Sequence, residues 1–262
     1  MNFLDRKITR EQFLQRVGLT TLGLFFKNET FASPSRSSEI KAIVFDAFPI
    51  FDPRPIYLSL SELFPENGKR AAEIWQTKQF SYQWLRIAGG RYKDFQRVTR
   101  DALDFALDQT DIKATEAEKQ SILEHYTSIG VWSDVTSVLS ELKAEGYVLS
   151  FLSNMTEAML KQGIQNSNLN EYFDFVISTD QKKTYKPNPV AYKMGQDILR
   201  LKKEEILFVA FAGWDASGAK WFGYPTFWVN RLNAPQERLD AEPDGVGSNL
   251  NDLLEFVRKY RK

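Results

Sequence analysis

The sequence IKAIVFD, residues 40–46, is an apolar run that ends on a carboxylate, Asp46. Three later apolar runs share this layout and precede polar residues: 147–152 before Ser153 and Asn154, 175–178 before Lys186, and 206–209 before Asp215. Short apolar runs separated by helical stretches are typical of parallel strands in an α/β sheet. Because ligands bind at the carboxyl ends of such strands, the layout predicts one crevice that contains a carboxylate and a lysine.

The composition excludes several kinds of catalytic site. The 262 residues contain no cysteine, which excludes disulfides and thiol nucleophiles. The single histidine, His125, leaves little room for a Ser-His-Asp triad or a multi-histidine metal site. Lysine plus arginine equal aspartate plus glutamate at 34 each, so no excess positive charge favours nucleic acid or an anionic membrane. We therefore expect catalysis by carboxylates, lysine, hydroxyls and amides, without a cofactor.

Residues 1–38 have the pattern of an export signal followed by a linker. Basic residues precede an apolar stretch at 17–26, which is too short to span a bilayer as a helix, so no membrane span is expected. Small residues at 30 and 32 then precede a linker rich in serine and proline. Residues 9–14, TREQFL, resemble a twin-arginine signal in which Glu11 replaces the second arginine. The pattern predicts export to the periplasm; the alternative is a frayed helix on a cytoplasmic protein.

The rest of the chain predicts an α/β fold, with a Rossmann-like, doubly wound parallel sheet and an inserted, mostly helical cap. Residues 39–53 contain the first strand, and the next strand begins only near Tyr147. Between them apolar residues recur at helical spacing, which predicts the cap over 54–131. Strands and helices then alternate, so residues 132–262 are expected to complete the core.

Asp46 is the first candidate for chemistry, because a strand end presents its carboxylate to the crevice. Such a carboxylate can be a nucleophile, a metal ligand or a helix N-cap. Metal-dependent phosphoryl transfer needs further carboxylates close by to hold a hard cation. Phe48 stands two residues after Asp46, and Asp215 is not part of an acidic pair. These residues disfavour a metal site.

The other polar residues at strand ends each have a functional and a structural interpretation. Lys186 could keep Asp46 ionised and attract an anionic substrate, or it could be a surface lysine. Ser153 and Asn154 could donate hydrogen bonds to a bound carboxylate, or they could cap the next helix. Asp215 could orient Lys186 or a water, or cap the helix that follows it.

Several segments resemble, in order, the motifs of the type II (S)-2-haloacid dehalogenases of the haloacid dehalogenase superfamily. They are FDAFPIFD (45–52), WQTKQFSYQWLR (75–86), GRYKDF (90–95), LSNMT (152–156), YKPNPVAY (185–192) and AGWDASGAKWFGYPTFWVNR (212–231). The resemblance covers roughly residues 39–260 and implies a Rossmann-like core with a helical cap.

The resemblance also implies a metal-free hydrolase. Asp46 would displace the halide from an (S)-2-haloacid with inversion, and water would then hydrolyse the enzyme ester to an (R)-2-hydroxy acid. Lys186 would stabilise Asp46 and help polarise the ester. Tyr192 would support Lys186, and Asp215 would position the water.

Substrate-binding residues follow from the same resemblance. Ser153 and Asn154 would hold the substrate carboxylate. Phe95 and Trp214 would line the pocket for the halide and the alkyl group. Gln76 stands where the family has a cap arginine that receives the halide, so it enters the predicted site as the replacement.

The chain departs from the family pattern at further positions. The Gly-Thr step after the nucleophile is missing, because the stretch at 48–50 is one residue shorter and reads FPI. Ala210 and Ala212 replace a serine and an asparagine that help to hold the hydrolytic water. Losing one preorganised donor commonly lowers a rate about a hundredfold or more. Three interpretations remain: dehalogenation with Gln76 or Lys78 at the halide site, action on another activated carbon, ester or acyl substrate, or a weak or inactive relative.

We take (S)-2-haloacid dehalogenation as the best single prediction, with a small 2-haloacid as the partner and no nucleic acid. One alternative is a phosphatase of the same superfamily, which Phe48 and the isolated Asp215 disfavour. The other is a catalytically silent protein that binds a small carboxylate. The resemblance suggests a homodimer through the cap, where Phe80, Tyr82 and Trp84 could form the contact or belong to the core.

Overall fold

The computed structural model describes residues 39–260, so the predicted export signal at 1–38 lies outside the described residues. Their six strands are β1 Ala42–Phe45, β2 Val148–Ser153, β3 Phe175–Ser178, β4 Ile206–Ala210, β5 Thr226–Val229 and β6 Gly245–Gly247. The strands form one parallel sheet in the order β3-β2-β1-β4-β5-β6. The order reverses between β1 and β4, which is where ligands bind in such sheets.

Nine α-helices accompany these strands in the described part of the chain. They are α1 Arg54–Leu63, α2 Gly68–Ala88, α3 Phe95–Gln109, α4 Glu116–Glu124, α5 Val135–Ala144, α6 Glu157–Asn166, α7 Pro189–Leu199, α8 Gly213–Phe222 and α9 Leu250–Tyr260. The first five, α1 to α5, lie between β1 and β2; after that one helix follows each strand except β5, which β6 follows directly. The predicted fold class is therefore confirmed, while the domain boundaries at 54 and 131 stay predictions. Within 39–260, no helix is long and apolar enough to cross a membrane.

The side chains of β1 alternate between two apolar clusters. Ile43 and Phe45 belong to the larger cluster, which extends to cap residues such as Trp75. Ala42 and Val44 belong to the smaller one. Since successive side chains of a strand point to opposite faces, the two clusters cover the two faces of the sheet. Complete burial of β1 fixes the strand whose end carries Asp46.

Local sequence also fixes the starts of helices near the crevice. The Asp94 carboxylate accepts the amide three residues on, which begins α3 at Phe95. Thr156 caps α6 in the same way. Thr115 and Glu118 form a reciprocal capping box at α4. Ser153 and Asn154 therefore do not cap the helix that follows β2.

Some element boundaries differ from the predicted ones. β1 begins at Ala42 rather than at residue 40, and β4 ends at Ala210. The sequence pattern does not predict β6, because Gly245–Gly247 contains one apolar side chain. Helix α8 begins at Gly213, which places Asp215 in its first turn; the N-cap is Ala212, so the capping interpretation of Asp215 is wrong.

Candidate active site

The carboxyl end of the sheet and the cap helices enclose a cavity of about 320 Å³. Six of the residues predicted for the site line this cavity: Asp46, Gln76, Phe95, Ser153, Asn154 and Trp214. Much of the remaining wall is aromatic and includes Phe48, Tyr57, Phe80, Phe211 and Trp228. The cavity is therefore apolar, with a few polar groups at its inner end, as is usual for small-molecule sites.

Lys186 lies behind Asp46 and connects two carboxylates. Its Nζ is 2.8 Å from Asp46 Oδ1 and 2.6 Å from Asp215 Oδ2. The lysine is 1% exposed, so the interpretation as a surface lysine is wrong. Burial alone would lower the pKa of Lys186, but the charges of Asp215 and Asp46 outweigh it and raise that pKa. The group is thus a buried ammonium aimed at one oxygen of Asp46.

Asp215 is also buried, and it accepts two side-chain hydrogen bonds. Lys186 donates to its Oδ2, and the Tyr192 hydroxyl donates to its Oδ1 at 2.7 Å. Burial raises the pKa of Asp215 to about 6, against the opposing effect of the Lys186 charge. Neither Asp215 nor Tyr192 lines the cavity. Tyr192 was expected to support Lys186; its hydroxyl instead holds Asp215, which in turn contacts Lys186.

The two oxygens of Asp46 are held unequally. Oδ1 accepts the short bond from Lys186, whereas Oδ2 accepts a weaker one from the Phe48 amide at 3.3 Å. The side chain of Asp46 is 13% exposed and reaches the cavity. Oδ2 is therefore the oxygen that is freer to react.

Ser153 and Asn154 follow β2 on the cavity wall, and the Asn154 side chain is tied on both sides. Its Oδ1 accepts the Lys186 amide at 2.9 Å, and its Nδ2 donates to Gln83 Oε1 at 2.9 Å. The Ser153 hydroxyl accepts the Met155 amide at 3.2 Å, which leaves its own proton for a ligand. One Asn154 amide proton is likewise left for the cavity.

Gln83 is a residue that sequence reasoning missed. It is fully buried on α2, and its Nε2 has no hydrogen-bond partner. The orientation is forced, because the Lys186 amide fixes Asn154 Oδ1, and Asn154 Nδ2 then selects Gln83 Oε1. A buried unpaired amide costs about 1–3 kcal/mol. The sequence feature that could have identified Gln83 is a polar residue at a core position of a helix.

Aromatic side chains join the cap helix α2 to the core. The Trp84 ring packs edge-on against Trp214, with centroids 5.4 Å apart, and Phe80 packs against the same ring at 5.5 Å. The Trp84 indole also donates to the Lys186 carbonyl at 3.2 Å. Tyr82 instead packs against Phe105. Phe80 and Trp84 therefore serve contacts within the chain, and homodimerisation stays a prediction.

Of the three replaced residues Gln76, Ala210 and Ala212, two lie at the cavity. Gln76 and Ala212 are on its wall, and Ala210 is fully buried at the end of β4. Lys78 is not on the cavity wall; its Nζ instead lies 4.2 Å from the Phe105 ring centroid. The interpretation of Lys78 as the halide-site residue is therefore wrong. Of the described residues, the charged ones on the wall are both acidic, Asp46 and Glu237.

The charge pattern gives no support to a metal site. Within residues 39–260, no group of three or more histidine or carboxylate side chains is arranged to hold a cation. Lys186 already places a positive charge between Asp46 and Asp215. A divalent cation there would compete with a buried ammonium for the same two carboxylates.

Comparisons with known proteins agree with this geometry. The family model for haloacid dehalogenase-like hydrolases matches residues 34–223. An (S)-2-haloacid dehalogenase of Pseudomonas putida is 33% identical over 219 residues, 83% of this chain and 96% of the relative. That of Xanthobacter autotrophicus is 35% identical over 204 residues, 78% of this chain and 79% of the relative.

Solved structures give the same result. A crystal structure of an L-2-haloacid dehalogenase superimposes with a TM-score of 0.82 at 34% identity, and covers 84% of this chain and 100% of that one. The Xanthobacter autotrophicus L-2-haloacid dehalogenase with chloropropionic acid covalently bound gives a TM-score of 0.77 at 32% identity, with coverages of 84% and 98%. The chain belongs to the (S)-2-haloacid dehalogenase family of haloacid dehalogenase-like hydrolases.

Proposed function

We propose that this protein hydrolyses (S)-2-haloacids to (R)-2-hydroxy acids through an ester on Asp46. The observation that carries the proposal is the buried Lys186 ammonium, which holds one oxygen of the Asp46 carboxylate and leaves the other free in an apolar cavity. The relative crystallised with covalently bound chloropropionic acid supports an ester intermediate.

In the first step, Asp46 Oδ2 attacks C2 of the substrate opposite the carbon–halogen bond. The new bond joins Oδ2 to C2, and the halogen leaves with the bonding electron pair as halide, so C2 is inverted. The Ser153 hydroxyl and the free Asn154 amide proton bind the substrate carboxylate. Gln76 offers an amide to the departing halide in place of a cation.

In the second step, water attacks the Asp46 carboxyl carbon. The ester carbonyl oxygen, Oδ1, becomes an oxyanion facing Lys186 Nζ, which is the preorganised donor for it. Lys186 Nζ contacts both carboxylates, so it can pass a proton to ionised Asp215 as it takes one from the water, and the same route returns a proton to the leaving alkoxide. The bond from the carboxyl carbon to Oδ2 breaks, so the product hydroxyl carries the original Asp46 oxygen.

An isotope experiment tests this assignment. The purified protein is mixed in excess with (S)-2-chloropropionate in H₂¹⁸O for one turnover. We expect chloride release, unlabelled (R)-lactate and one ¹⁸O in the peptide that contains Asp46. Asp46→Asn should abolish chloride release, whereas Asp197→Asn, in an exposed pair with Lys193, should not. Labelled lactate would show direct attack by water and contradict the mechanism.

The departures at Gln76, Ala210 and Ala212 favour a second candidate, a silent protein that binds a small carboxylate. Thermal stabilisation by (S)-2-chloropropionate without chloride release would support that candidate. Magnesium-dependent release of phosphate from p-nitrophenyl phosphate would instead support the phosphatase.

We also propose that the chain forms a homodimer through its cap helices. Leu58 and Leu63 on α1 and Leu85 on α2 are 55%, 43% and 66% exposed, so the cap helices present apolar side chains that such a contact could bury. Light scattering after size exclusion tests the mass, and Leu85→Asp is expected to shift it to the monomer. A monomeric wild-type protein at micromolar concentration would refute the proposal.

For the N-terminal segment we propose export and cleavage after the small residues at 30 and 32. The support is the order of basic, apolar and small residues in the sequence. N-terminal sequencing of the protein from its native host is the test, and an intact Met1 start would refute it.

A further inference from the structure

The loop that follows Asp46 is held from outside by two side chains far away in sequence. The Trp132 indole donates to the Phe48 carbonyl at 3.0 Å and to the Phe51 carbonyl at 3.1 Å. The Trp132 amide donates to the Ile50 carbonyl at 3.2 Å. Arg231 Nη2 donates to the Pro49 carbonyl at 2.9 Å. All four carbonyls from 48 to 51 thus have a donor from Trp132 or Arg231.

These two donors are themselves fixed. The Trp132 ring packs against two guanidinium groups, with the Arg54 Cζ at 4.4 Å and the Arg231 Cζ at 4.6 Å from its centroid. Arg231 forms an ion pair with Asp134 at 2.9 Å, and their side chains are 6% and 11% exposed. Asp134 also accepts the Leu250 amide at 2.6 Å. The donors are therefore part of a packed network rather than mobile surface groups.

This network acts on a loop residue whose amide contacts the nucleophile. Phe48 donates its amide to Asp46 Oδ2, and its carbonyl accepts from Trp132. The loop carries no threonine hydroxyl at 48–50, so the backbone must supply the donor to Oδ2. The direction of the Phe48 amide depends on where the loop is held.

We propose that Trp132 and Arg231 are positioning residues for the displacement step, and that they keep the shortened loop in the conformation that directs the Phe48 amide at Asp46 Oδ2. The proposal rests on Asp46 being the nucleophile. A loop that relaxes lets the carboxylate rotate away from in-line attack, and misplacement by about 1 Å can cost a hundredfold in rate.

Trp132→Phe is the decisive variant, because it keeps an aromatic ring against the two arginines and removes the indole donor. Its matched control is Trp75→Phe, which removes an indole bond of 2.9 Å to the Thr99 carbonyl inside the cap. Rapid-quench mass spectrometry measures the rate of Asp46 ester formation, and thermal melting measures stability. We expect Trp132→Phe to slow ester formation about tenfold or more, with little change in KM. Trp75→Phe should lose comparable stability and stay within about twofold of the wild-type rate.

Arg231→Lys provides an independent variant, since lysine keeps the charge opposite Asp134 and loses the geometry that reaches the Pro49 carbonyl. We expect it to slow ester formation in the same way. Equal rates for Trp132→Phe, Arg231→Lys and Trp75→Phe would overturn the proposal.

Hydrogen exchange at the backbone amides of residues 47, 48 and 50–52 separates this proposal from the proposed function. We expect exchange to rise about tenfold in Trp132→Phe and to stay unchanged in Trp75→Phe. A wild-type protein that forms no ester would refute the proposed chemistry and, with it, the catalytic role. Unchanged exchange in Trp132→Phe would refute the positioning role even if the wild type is active.

Discussion

The hydroxyl of Tyr192 offers a direct test of the role of Asp215. It donates to Asp215 Oδ1 at 2.7 Å, and Lys186 donates to the other oxygen. Tyr192→Phe removes that bond and keeps the ring that packs against Phe208 and Phe222. Because the hydroxyl stabilises the ionised carboxylate, its removal must raise the pKa of Asp215 further.

The size of the effect follows from the bond that is lost. A hydrogen bond to a charged group is worth about 1.5–3 kcal/mol, and one pKa unit corresponds to about 1.36 kcal/mol. Removing the bond should therefore raise the pKa of Asp215 by about one to two units. Burial already raises this pKa to about 6 in the wild-type protein. Asp215 accepts a proton only when ionised, so activity is lost as the pH falls through its pKa. The acidic limb of the pH–activity profile should therefore move from near pH 6 to about pH 7–8.

The assay is chloride release from (S)-2-chloropropionate at saturating substrate between about pH 4.5 and 9.5. Tyr126→Phe is the matched control, because it removes a buried hydroxyl that bonds Gln79 in the cap instead of Asp215. The control should keep the wild-type acid limb. An acid limb at the same pH in Tyr192→Phe and the wild type would refute Asp215 as the proton acceptor. A shift to lower pH would refute the assigned direction of the hydrogen bond.

Three further substitutions have expected outcomes. Gly218→Ala adds a Cβ that overlaps the Tyr192 hydroxyl. The acidic limb should shift to higher pH and the melting temperature should fall, which a pH–activity profile and a thermal melt would show. Gln83→Met removes the unpartnered buried amide, so stability in urea should not fall. It also removes the bond that orients Asn154, so KM should rise several-fold. A fall in stability with an unchanged KM would contradict both expectations. Ala212→Asn adds a side-chain cap to α8, where none exists, and should stabilise the fold by about 1 kcal/mol in urea titrations.

The central strands could be predicted from sequence because burial on both faces makes them continuously apolar. β1 is an example, since all four of its residues are fully buried. β6 could not be predicted, because Gly245 and Gly247 add no side chains to the pattern. The start of α8 could not be predicted for a similar reason: Gly213 is a poor helix former, so the first turn does not look helical.

Site residues that follow strand ends could be placed from the sequence. Asp46 and Lys186 follow strand ends, and the parallel sheet brings those ends together. The roles of Tyr192 and Trp132 depend instead on contacts between segments distant in sequence. Nothing in the sequence around Tyr192 indicates whether its hydroxyl bonds Asp215 or Lys186. Trp132 lies 81 positions from the Phe51 carbonyl that it binds.

The losses from the family pattern fall on both steps of the reaction, and their number predicts which step limits turnover. The resemblance implies that Ala210 and Ala212 replace two donors to the hydrolytic water, and each such loss commonly costs about a hundredfold or more. Gln76 replaces one cation at the halide site but keeps an amide donor. Hydrolysis of the Asp46 ester is therefore expected to be the slower step.

The halogen distinguishes these steps, because it has already left before hydrolysis begins. We expect equal kcat for (S)-2-bromopropionate and (S)-2-chloropropionate, a burst of halide, and an Asp46 ester that accumulates in quenched samples. Single-turnover ester formation should still be faster with bromide as the leaving group. A kcat that is higher for the bromo acid by the same ratio as ester formation, without a burst, would mean that displacement limits turnover. The replacement at Gln76 would then slow its step more than those at Ala210 and Ala212 slow hydrolysis.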